Sequence, residues 1–228
     1  MKEAGNTSEQ TSGQKMLLTM TGIGVFCALM IVLSYQGTLP RIEQLKAEAL
    51  EKAIFKVVPG MESKRTFRME SDGSFTEVSG KEKDARLVYA GYDKEGKLVG
   101  VAVEAAGMGF ADVIKVIYGY DPEKEAVVGF YVLESKETPG LGDKIEKDPN
   151  FLANFEALDV SLTEDKSKTK NTVAAVKHGE KKNNWEVDGI TGATISSRAI
   201  GNILGTSTAE MAPVLYKNKA FFEEKKGQ

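Results

Sequence analysis

An uncharged apolar run near the amino terminus constrains this chain more than any other feature. Residues 16–35, MLLTMTGIGVFCALMIVLSY, contain no charged side chain. At about 1.5 Å per residue, a helix of this length spans the roughly 30 Å hydrocarbon layer of a membrane. Cleavage as a signal peptide is the less favoured alternative, because the run exceeds a normal hydrophobic region and only a poor site at 32–34 follows. The sequence therefore predicts one transmembrane helix at 16–35.

The remaining chain is expected to contain two tails, a connecting region and one domain. Residues 1–15 are rich in Ser, Thr, Gly and Gln and are expected to form a disordered tail. Residues 36–85 carry a juxtamembrane helix, which a Pro-Gly pair ends, and a connecting segment. Residues 86–212 are long enough for one domain of ordinary size. Residues 213–228 are expected to form a charged tail outside that domain.

The first part of the predicted domain favours strands. Four apolar runs, LVYAGYD, LVGVAVEAAG, DVIKVIYGYD and AVVGFYVLES, are joined by short stretches with turn residues. Connections this short favour antiparallel neighbours. A further strand is expected near Asn171–Val176. We therefore predict an α+β fold, in which a mainly antiparallel sheet is flanked by helices.

Two helices are expected after these strands. Asp148 provides an N-cap and Pro149 a first helical residue for the run NFLANFEAL. The last helix begins near Thr194, because apolar residues then recur at helical spacing, and Gly205 is expected to end it.

Composition excludes several classes of function. The formal net charge is −3, so there is no electrostatic reason to expect nucleic-acid binding. The single cysteine, Cys27, excludes an intrachain disulfide and a cysteine metal cluster, and it is expected to be a small buried residue. The single histidine, His178, lies in the polar stretch KHGEKK and is expected to be a solvated loop residue. No metal site is predicted.

Two stretches are candidates for a functional site. In DGITGATISS, residues 188–197, a threonine hydroxyl lies where the last helix begins. From the local pattern alone, Thr194 or Thr191 is an N-cap, but the same helix start also suits a phosphate group. In ETPGLG, residues 137–142, two glycines allow a backbone to approach a planar ligand closely, although alone this loop is an ordinary turn.

Together, the two stretches resemble a known family. ETPGLG, followed about fifty residues later by D-G-x-[ST]-G-A-T, is similar to the covalent FMN-binding subunits of two ion-pumping complexes. These are RnfG of the Rnf complex and NqrC of the sodium-pumping NADH:quinone reductase. The resemblance covers roughly residues 16–205, and every position of the flavin-transfer motif is matched, by Asp188, Gly189, Thr191, Gly192, Ala193 and Thr194.

The resemblance implies a cofactor and a set of binding residues. It implies that Thr194 is joined by a phosphoester to FMN, installed from FAD by a magnesium-dependent flavin transferase. The groups around GMGF, residues 107–110, and the TPGL loop are then candidates for covering the flavin ring. The expected cofactor-binding residues are those of the motif together with Glu137, Thr138, Pro139, Gly140, Leu141 and Gly142.

The resemblance also implies a cellular setting. The chain is expected to be a single-pass protein of the cytoplasmic membrane, with residues 1–15 in the cytoplasm and the FMN domain on the periplasmic side. Its partners are the other membrane subunits of the Rnf complex, within which it relays electrons and is not catalytic alone. A departure from the family is Ser135-Lys136, where many relatives are expected to have a histidine.

Three alternatives remain open at this point. The first is NqrC of the sodium-translocating NADH:quinone reductase, although the length of 228 residues and the compact motif spacing favour RnfG. The second is a non-redox membrane-anchored module, in which the TGAT stretch only caps a helix. The third is a free-standing flavin reductase.

Overall fold

The first unit of the chain is formed by most of one long helix. The computed structural model describes residues 7–79 and 85–224, and the chain separates after Glu48 into two compact units. Helix α1 spans Thr7–Val57 and continues through Pro40 without a break. Among the described residues it is the one helix apolar and long enough to cross a membrane, with a mean hydropathy of 2.4 in its best stretch.

Two expectations for this region are corrected. Residues 7–15 belong to α1, so the disorder expected for 1–15 is wrong there, while residues 1–6 lie outside the described residues. Cys27 is exposed on the helix, so the prediction of a buried cysteine is wrong. An apolar helix whose side chains are exposed, as at 16–35, is suited to a single-pass membrane anchor.

The second unit is built on a seven-stranded antiparallel sheet. Its strand order is β2-β1-β3-β4-β5-β6-β7. The first two strands precede residue 86, so the domain begins earlier than predicted. The bounds are Ser63–Met69 for β1, Phe75–Glu77 for β2, Leu87–Tyr92 for β3, Leu98–Met108 for β4, Val113–Asp121 for β5, Ala126–Glu134 for β6 and Leu158–Asp159 for β7.

Helices cover both faces of this sheet. Alternate side chains of a strand point to opposite faces, so Val116 and Tyr118 of β5 pack with the large core while Ile117 packs on the other side. The large core is completed by helix α3, Thr194–Lys217, and the smaller one by residues 53–57 at the end of α1 together with Val58. The predicted α+β fold with an antiparallel sheet flanked by helices is confirmed.

Glycines on neighbouring strands let the end of α1 lie directly on the sheet. Gly119 of β5 pairs with Gly129 of β6. A Cβ atom would lie 1.9 Å from the Val57 carbonyl oxygen if placed on Gly119, and 2.3 Å if placed on Gly129. Only glycine at these two positions leaves room for the backbone that ends α1.

Short elements connect the sheet to α3. A 3₁₀ helix spans Gly142–Glu146, and α2 spans Pro149–Ala153. Asp148 caps α2 as predicted, but the helix ends before the expected 158, because Leu158–Asp159 pairs with β6. The strand expected near 171–176 is β8, Ala174–Val176, which pairs in parallel with β9, Glu186–Asp188, outside the main sheet.

The carboxy-terminal region departs most from expectation. Helix α3 does not end at Gly205 but continues to Lys217. Gly205 instead allows α3 to pack closely against the chain before it, because a Cβ there would lie 2.5 Å from the Val173 carbonyl oxygen. After α3 comes α4, Lys219–Glu223, whose Phe222 is fully buried and 5.1 Å from Phe67 between ring centroids. Residues 213–224 therefore belong to the domain, and the predicted separate tail is wrong for them.

Candidate functional site

The segment 188–194 makes a tight turn between β9 and α3. Gly192 has a φ of 83°, a conformation that side chains disfavour, although nothing lies within 4 Å of where a Cβ would be. The Ala193 N–H closes the turn by donating to the Ile190 carbonyl at 3.0 Å. The Ser197 hydroxyl accepts from the Ile190 N–H at 3.0 Å and donates to the Ala193 carbonyl at 2.9 Å. Ser197 thus fixes the turn from within α3.

Helix α3 begins at Thr194 with an uncapped first turn. The N-cap residue is Ala193, and no side chain caps it. Thr194 is exposed, and across residues 7–79 and 85–224 its hydroxyl makes no hydrogen bond, nor does that of Thr191. The alternative that either threonine is a helix cap is therefore wrong. In the described part of the chain, the N–H groups of Thr194 and Ile195 have no backbone acceptor outside α3, so they can bind an anion, which the helix dipole also favours.

Two loops of the main sheet lie beside this helix start. The turn between β4 and β5 carries Phe110, whose side chain is 64% exposed. The loop after β6 turns at Gly140, where φ is 78°, and carries Leu141, which is 52% exposed. Both apolar side chains line a cleft that also includes Thr194.

A buried carboxylate connects these loops to α3. Glu137 is 6% exposed, and its Oε1 accepts from the backbone N–H groups of Phe110 at 2.8 Å and Ala111 at 3.0 Å. Its Oε2 accepts from the hydroxyl of Ser196 in the first turn of α3. Glu137 therefore hydrogen bonds both to the turn between β4 and β5 and to the first turn of α3, the two elements that border the cleft.

The cleft itself has a mostly apolar lining around the free hydroxyl. It encloses about 350 Å³. Ile195, on the turn of α3 next to Thr194, is 54% exposed and adds a third exposed apolar side chain. The lining residues are Phe110, Glu137, Thr138, Leu141, Gly142, Gly192, Ala193, Thr194, Ile195 and Ser196.

A second cavity adjoins the other threonine of the motif. It encloses about 220 Å³ and has several charged or ionisable side chains, in contrast to the first. Its lining residues are Lys144, Asp148, Asn150, Phe151, His178, Asp188, Gly189, Ile190 and Thr191.

Hydrogen bonds hold Asp188 rigidly at the start of the motif. Its Oδ1 accepts from the Gly179 N–H at 2.7 Å, and its backbone N–H donates to the side-chain oxygen of Asn154 at 3.0 Å. His178 lies with Nδ1 3.3 Å from Asp188 Oδ2 and 3.1 Å from the Gly189 carbonyl oxygen. His178 is exposed, as expected of a loop residue, but sequence reasoning missed its contact with the motif.

The predicted site residues fall into three groups. Seven of them line the first cleft and three line the second, while Pro139 and Gly140 shape the loop between β6 and the 3₁₀ helix without lining either. Ile195 and Ser196 were missed, because a single sequence gives no sign that they face the loops. The first group is Glu137, Thr138, Leu141, Gly142, Gly192, Ala193 and Thr194, and the second is Asp188, Gly189 and Thr191.

An ion pair borders the Phe110 turn. The Lys136 ammonium hydrogen bonds to Asp112, which lowers the pKa of Asp112 below its usual 3.8. The same contact raises the pKa of Lys136 above its usual 10.5. Lys136 therefore forms a surface ion pair with Asp112, and it belongs to the Ser135-Lys136 pair, where many relatives are expected to have a histidine. In the described part of the chain, no group of three or more His, Cys, Asp or Glu side chains could hold a metal ion.

The family model and the relatives that match this chain agree with one another. Residues 109–207 match a model of the FMN-binding domain. The chain is 31% identical over 195 residues to the RnfG subunit of the ion-translocating oxidoreductase complex of Methanosarcina acetivorans, covering 83% of this chain and 89% of that protein. It is 29% identical over 196 residues to the corresponding subunit of Aliivibrio fischeri, covering 83% and 86%.

A solved structure shares the fold. The NqrC subunit of the Na⁺-translocating NADH-quinone reductase of Parabacteroides distasonis superposes with a TM-score of 0.57 at 21% sequence identity. The match covers 76% of this chain and 96% of that one.

Proposed function

This chain belongs to the RnfG family, a subunit family of ion-translocating oxidoreductase complexes, and from that premise we propose how it works. It is an electron-transfer subunit that carries FMN in its extramembrane domain. FMN supplies the redox chemistry by accepting and releasing electrons, and the protein supplies position, shielding and polarity. It acts within a multi-subunit complex and is not catalytic alone.

One observation carries the proposal for the site. The exposed hydroxyl of Thr194 has no protein partner among the described residues, and it lies at the edge of a cleft with three exposed apolar side chains. Exposed apolar side chains that cluster around a concave surface are typical of a binding site. Phe110, Leu141 and Ile195 are therefore proposed to cover the flavin ring.

We place the covalent bond on Thr194. An ester between its hydroxyl and the FMN phosphate would hold the phosphate beside the free N–H groups of α3. The positive end of a helix typically stabilises a nearby negative charge by about 0.3–1 kcal/mol. That is too little to retain a cofactor, so the covalent bond provides the attachment and the helix end provides the orientation.

The residues before Thr194 give a separate enzyme access to the hydroxyl. Thr191, Gly192 and Thr194 are all exposed, and Gly192 has no side chain. A flavin transferase that transfers the FMN moiety of FAD to the Thr194 hydroxyl, with release of AMP, is therefore a proposed partner during maturation. Asp188 and Gly189, held by their hydrogen bonds, keep this exposed turn in one conformation.

The membrane topology is also part of the proposal. With α1 as the anchor, residues 1–15 lie in the cytoplasm and the FMN domain lies on the periplasmic side of the cytoplasmic membrane, next to the other membrane subunits. External protease should digest the domain in cells stripped of their outer membrane. Protection of the domain until lysis would reverse this orientation.

Three other functions receive less support. NqrC of a sodium-translocating NADH:quinone reductase is similar in fold at 21% identity, whereas RnfG relatives reach 31% over most of both chains. A non-redox anchored module gives no reason for an exposed apolar cleft around Thr194. A free-standing flavin reductase would be supported by turnover of the isolated domain.

Mass measurement tests the proposed cofactor and its attachment. The full chain is purified in detergent after synthesis with and without a working flavin transferase. We expect the intact mass to rise by one esterified FMN with the transferase, and flavin fluorescence to survive denaturation. Peptide mapping should then find FMN on the peptide that contains Thr194. A wild-type chain that gains no mass contradicts the proposal.

A further inference from the structure

We propose that Glu137 is a positioning residue, whose buried carboxylate holds the Phe110 turn and the start of α3 at a fixed separation. This inference rests on the proposed function, because the separation matters as the width of the flavin cleft. It differs from the expectation that Glu137 binds FMN. Its three side-chain hydrogen bonds, from Phe110, Ala111 and Ser196, engage both carboxylate oxygens.

The contacts of Glu137 join three distant segments. Its Oε1 accepts from the Phe110 and Ala111 N–H groups at 2.8 and 3.0 Å, and its Oε2 accepts from the Ser196 hydroxyl. Those partners lie 27, 26 and 59 residues away in the sequence. A carboxylate suits this role because it only accepts hydrogen bonds and offers two oxygens to donors from opposite sides.

Two glycines make room for this carboxylate. A Cβ on Gly109 would lie 2.5 Å from Oε1, and a Cβ on Gly142 would lie 2.6 Å from Oε2. On Gly142 it would also lie 3.0 Å from the Ser196 hydroxyl oxygen. The backbone therefore approaches Glu137 from both loops, and a larger residue at either position would open the cleft.

The position of Phe110 depends on these backbone bonds more than on packing. Its side chain is 64% exposed, so contacts with the core cannot fix the turn that carries it. The N–H groups of Phe110 and Ala111 both bond to Glu137, which is itself 6% exposed. Removing the carboxylate would leave these donors without their partner and would loosen the Phe110 turn, which would then be held by the Gly109 N–H bond to the Asp112 carbonyl at 2.9 Å.

The first measurement is amide hydrogen exchange on the full chain in detergent without FMN. In Glu137→Ala, exchange of the Phe110 and Ala111 amides should accelerate at least about tenfold, because a charge-assisted bond protects each of them. Glu137→Gln should stay near the wild type, because its amide oxygen can accept from the same two groups. Glu146→Ala, which removes an exposed carboxylate of the 3₁₀ helix, is the matched control and should change nothing.

If Glu137→Ala does not fold, Glu137→Asp decides the question. Its carboxylate keeps the charge but is one methylene shorter, so it cannot reach the Phe110 turn and Ser196 together. We expect faster exchange of the same two amides. Exchange within twofold of the wild type in the folded Ala variant, or in the Asp variant if Ala does not fold, would overturn the proposal.

The second measurement is the visible circular dichroism of the FMN-loaded chain. Glu137→Ala should alter the flavin signal and Glu137→Gln should restore it, whereas a role limited to overall stability would leave both signals like the wild type. An unaltered signal in Glu137→Ala contradicts the inference while the proposed function stands. A wild type that takes up no FMN contradicts the proposed function, and the exchange experiment still decides the role of Glu137.

Discussion

The two threonines of the 188–194 turn are three residues apart, yet they line different cavities. Thr194 borders the cleft with exposed Phe110, Leu141 and Ile195, and Thr191 borders a smaller cavity with Lys144, Asp148, His178 and Asp188. Both hydroxyls are exposed and lack protein partners within the described residues. The two side chains are chemically identical, so any difference between their roles must come from the residues around them.

The two sides of the turn are therefore expected to have different roles. The side of Thr194 has apolar side chains in contact with solvent, which is costly for the protein unless a ligand or partner covers them. The side of Thr191 has polar groups that hydrogen bond to one another and hold the turn in shape. We expect substitutions on the first side to change the flavin and substitutions on the second to change stability.

The largest expected effect is the loss of covalent FMN from Thr194→Ala. Thr191→Ala, made with the same flavin transferase, should still carry FMN, because its hydroxyl is not the ester oxygen. Neither variant removes a protein hydrogen bond, so the free energy of unfolding should change by no more than about 0.5 kcal/mol. Intact mass and thermal unfolding measure the two quantities. Covalent FMN on Thr194→Ala would contradict the assignment of the ester to Thr194.

The next effect is a loss of stability on the polar side. Asn154 is 7% exposed, and its side chain accepts from the Asp188 N–H at 3.0 Å and donates to the Phe151 carbonyl at 2.9 Å. Asn154→Ala should lower the free energy of unfolding by about 1–3 kcal/mol, because buried groups lose their partners. Chemical denaturation measures this change. Asn150→Ala, at an exposed position, is the control, and an equal loss in both variants would count against the proposed role of Asn154.

A smaller effect is expected from the cleft lining. Leu141→Ser removes an exposed apolar side chain beside Thr194, so covalent FMN should become more accessible to a soluble quencher such as iodide. Lys144→Ser, in the cavity of Thr191, serves as the comparison and should leave quenching unchanged. Stern–Volmer measurements on the two loaded proteins provide the test. Equal quenching in wild type and Leu141→Ser would mean that Leu141 does not cover the flavin.

The smallest expected effect concerns pH. Because the pKa of Asp112 is lowered in the folded protein, its ion pair with Lys136 contributes stability above pH 3.8, and this contribution is lost as the pH falls through the lowered value. The melting temperatures of wild type and Asp112→Asn should differ slightly at pH 6 and converge in acid. A difference that persists below the folded pKa would have another cause.

Much of the sheet was predictable because its central strands are long, nearly continuous apolar runs that are buried on both faces. The four predicted runs correspond to β3–β6 within one residue at every end. The outer strands were missed, since β2 and β7 have only three and two residues and carry too little pattern. Gly205 was misinterpreted because glycine both ends helices and permits close packing, and only the Val173 carbonyl beside it distinguishes the two.

The site was predictable where the motif is local and unpredictable where it depends on distant contacts. The helix start at Thr194 follows from the apolar spacing after it, and the structure confirms it. The bonds of Glu137 to Ser196 and of Asn154 to Asp188 span 59 and 34 residues, and no periodicity in the chain indicates them. Hydrogen bonds between buried polar groups that lie far apart in the chain therefore could not be predicted from the single sequence.

The glycine contacts at the end of α1 also determine where the chain can change in length. The Val57 carbonyl oxygen lies so close to Gly119 and Gly129 that an inserted residue between Val57 and β1 would either shift the sheet contact or be forced into a surface loop. Residues before Ala49 belong to the other compact unit and are free of this constraint. Evolutionary variation in the length of the anchor is therefore expected upstream of residue 49, with the spacing from Val57 to β1 held constant.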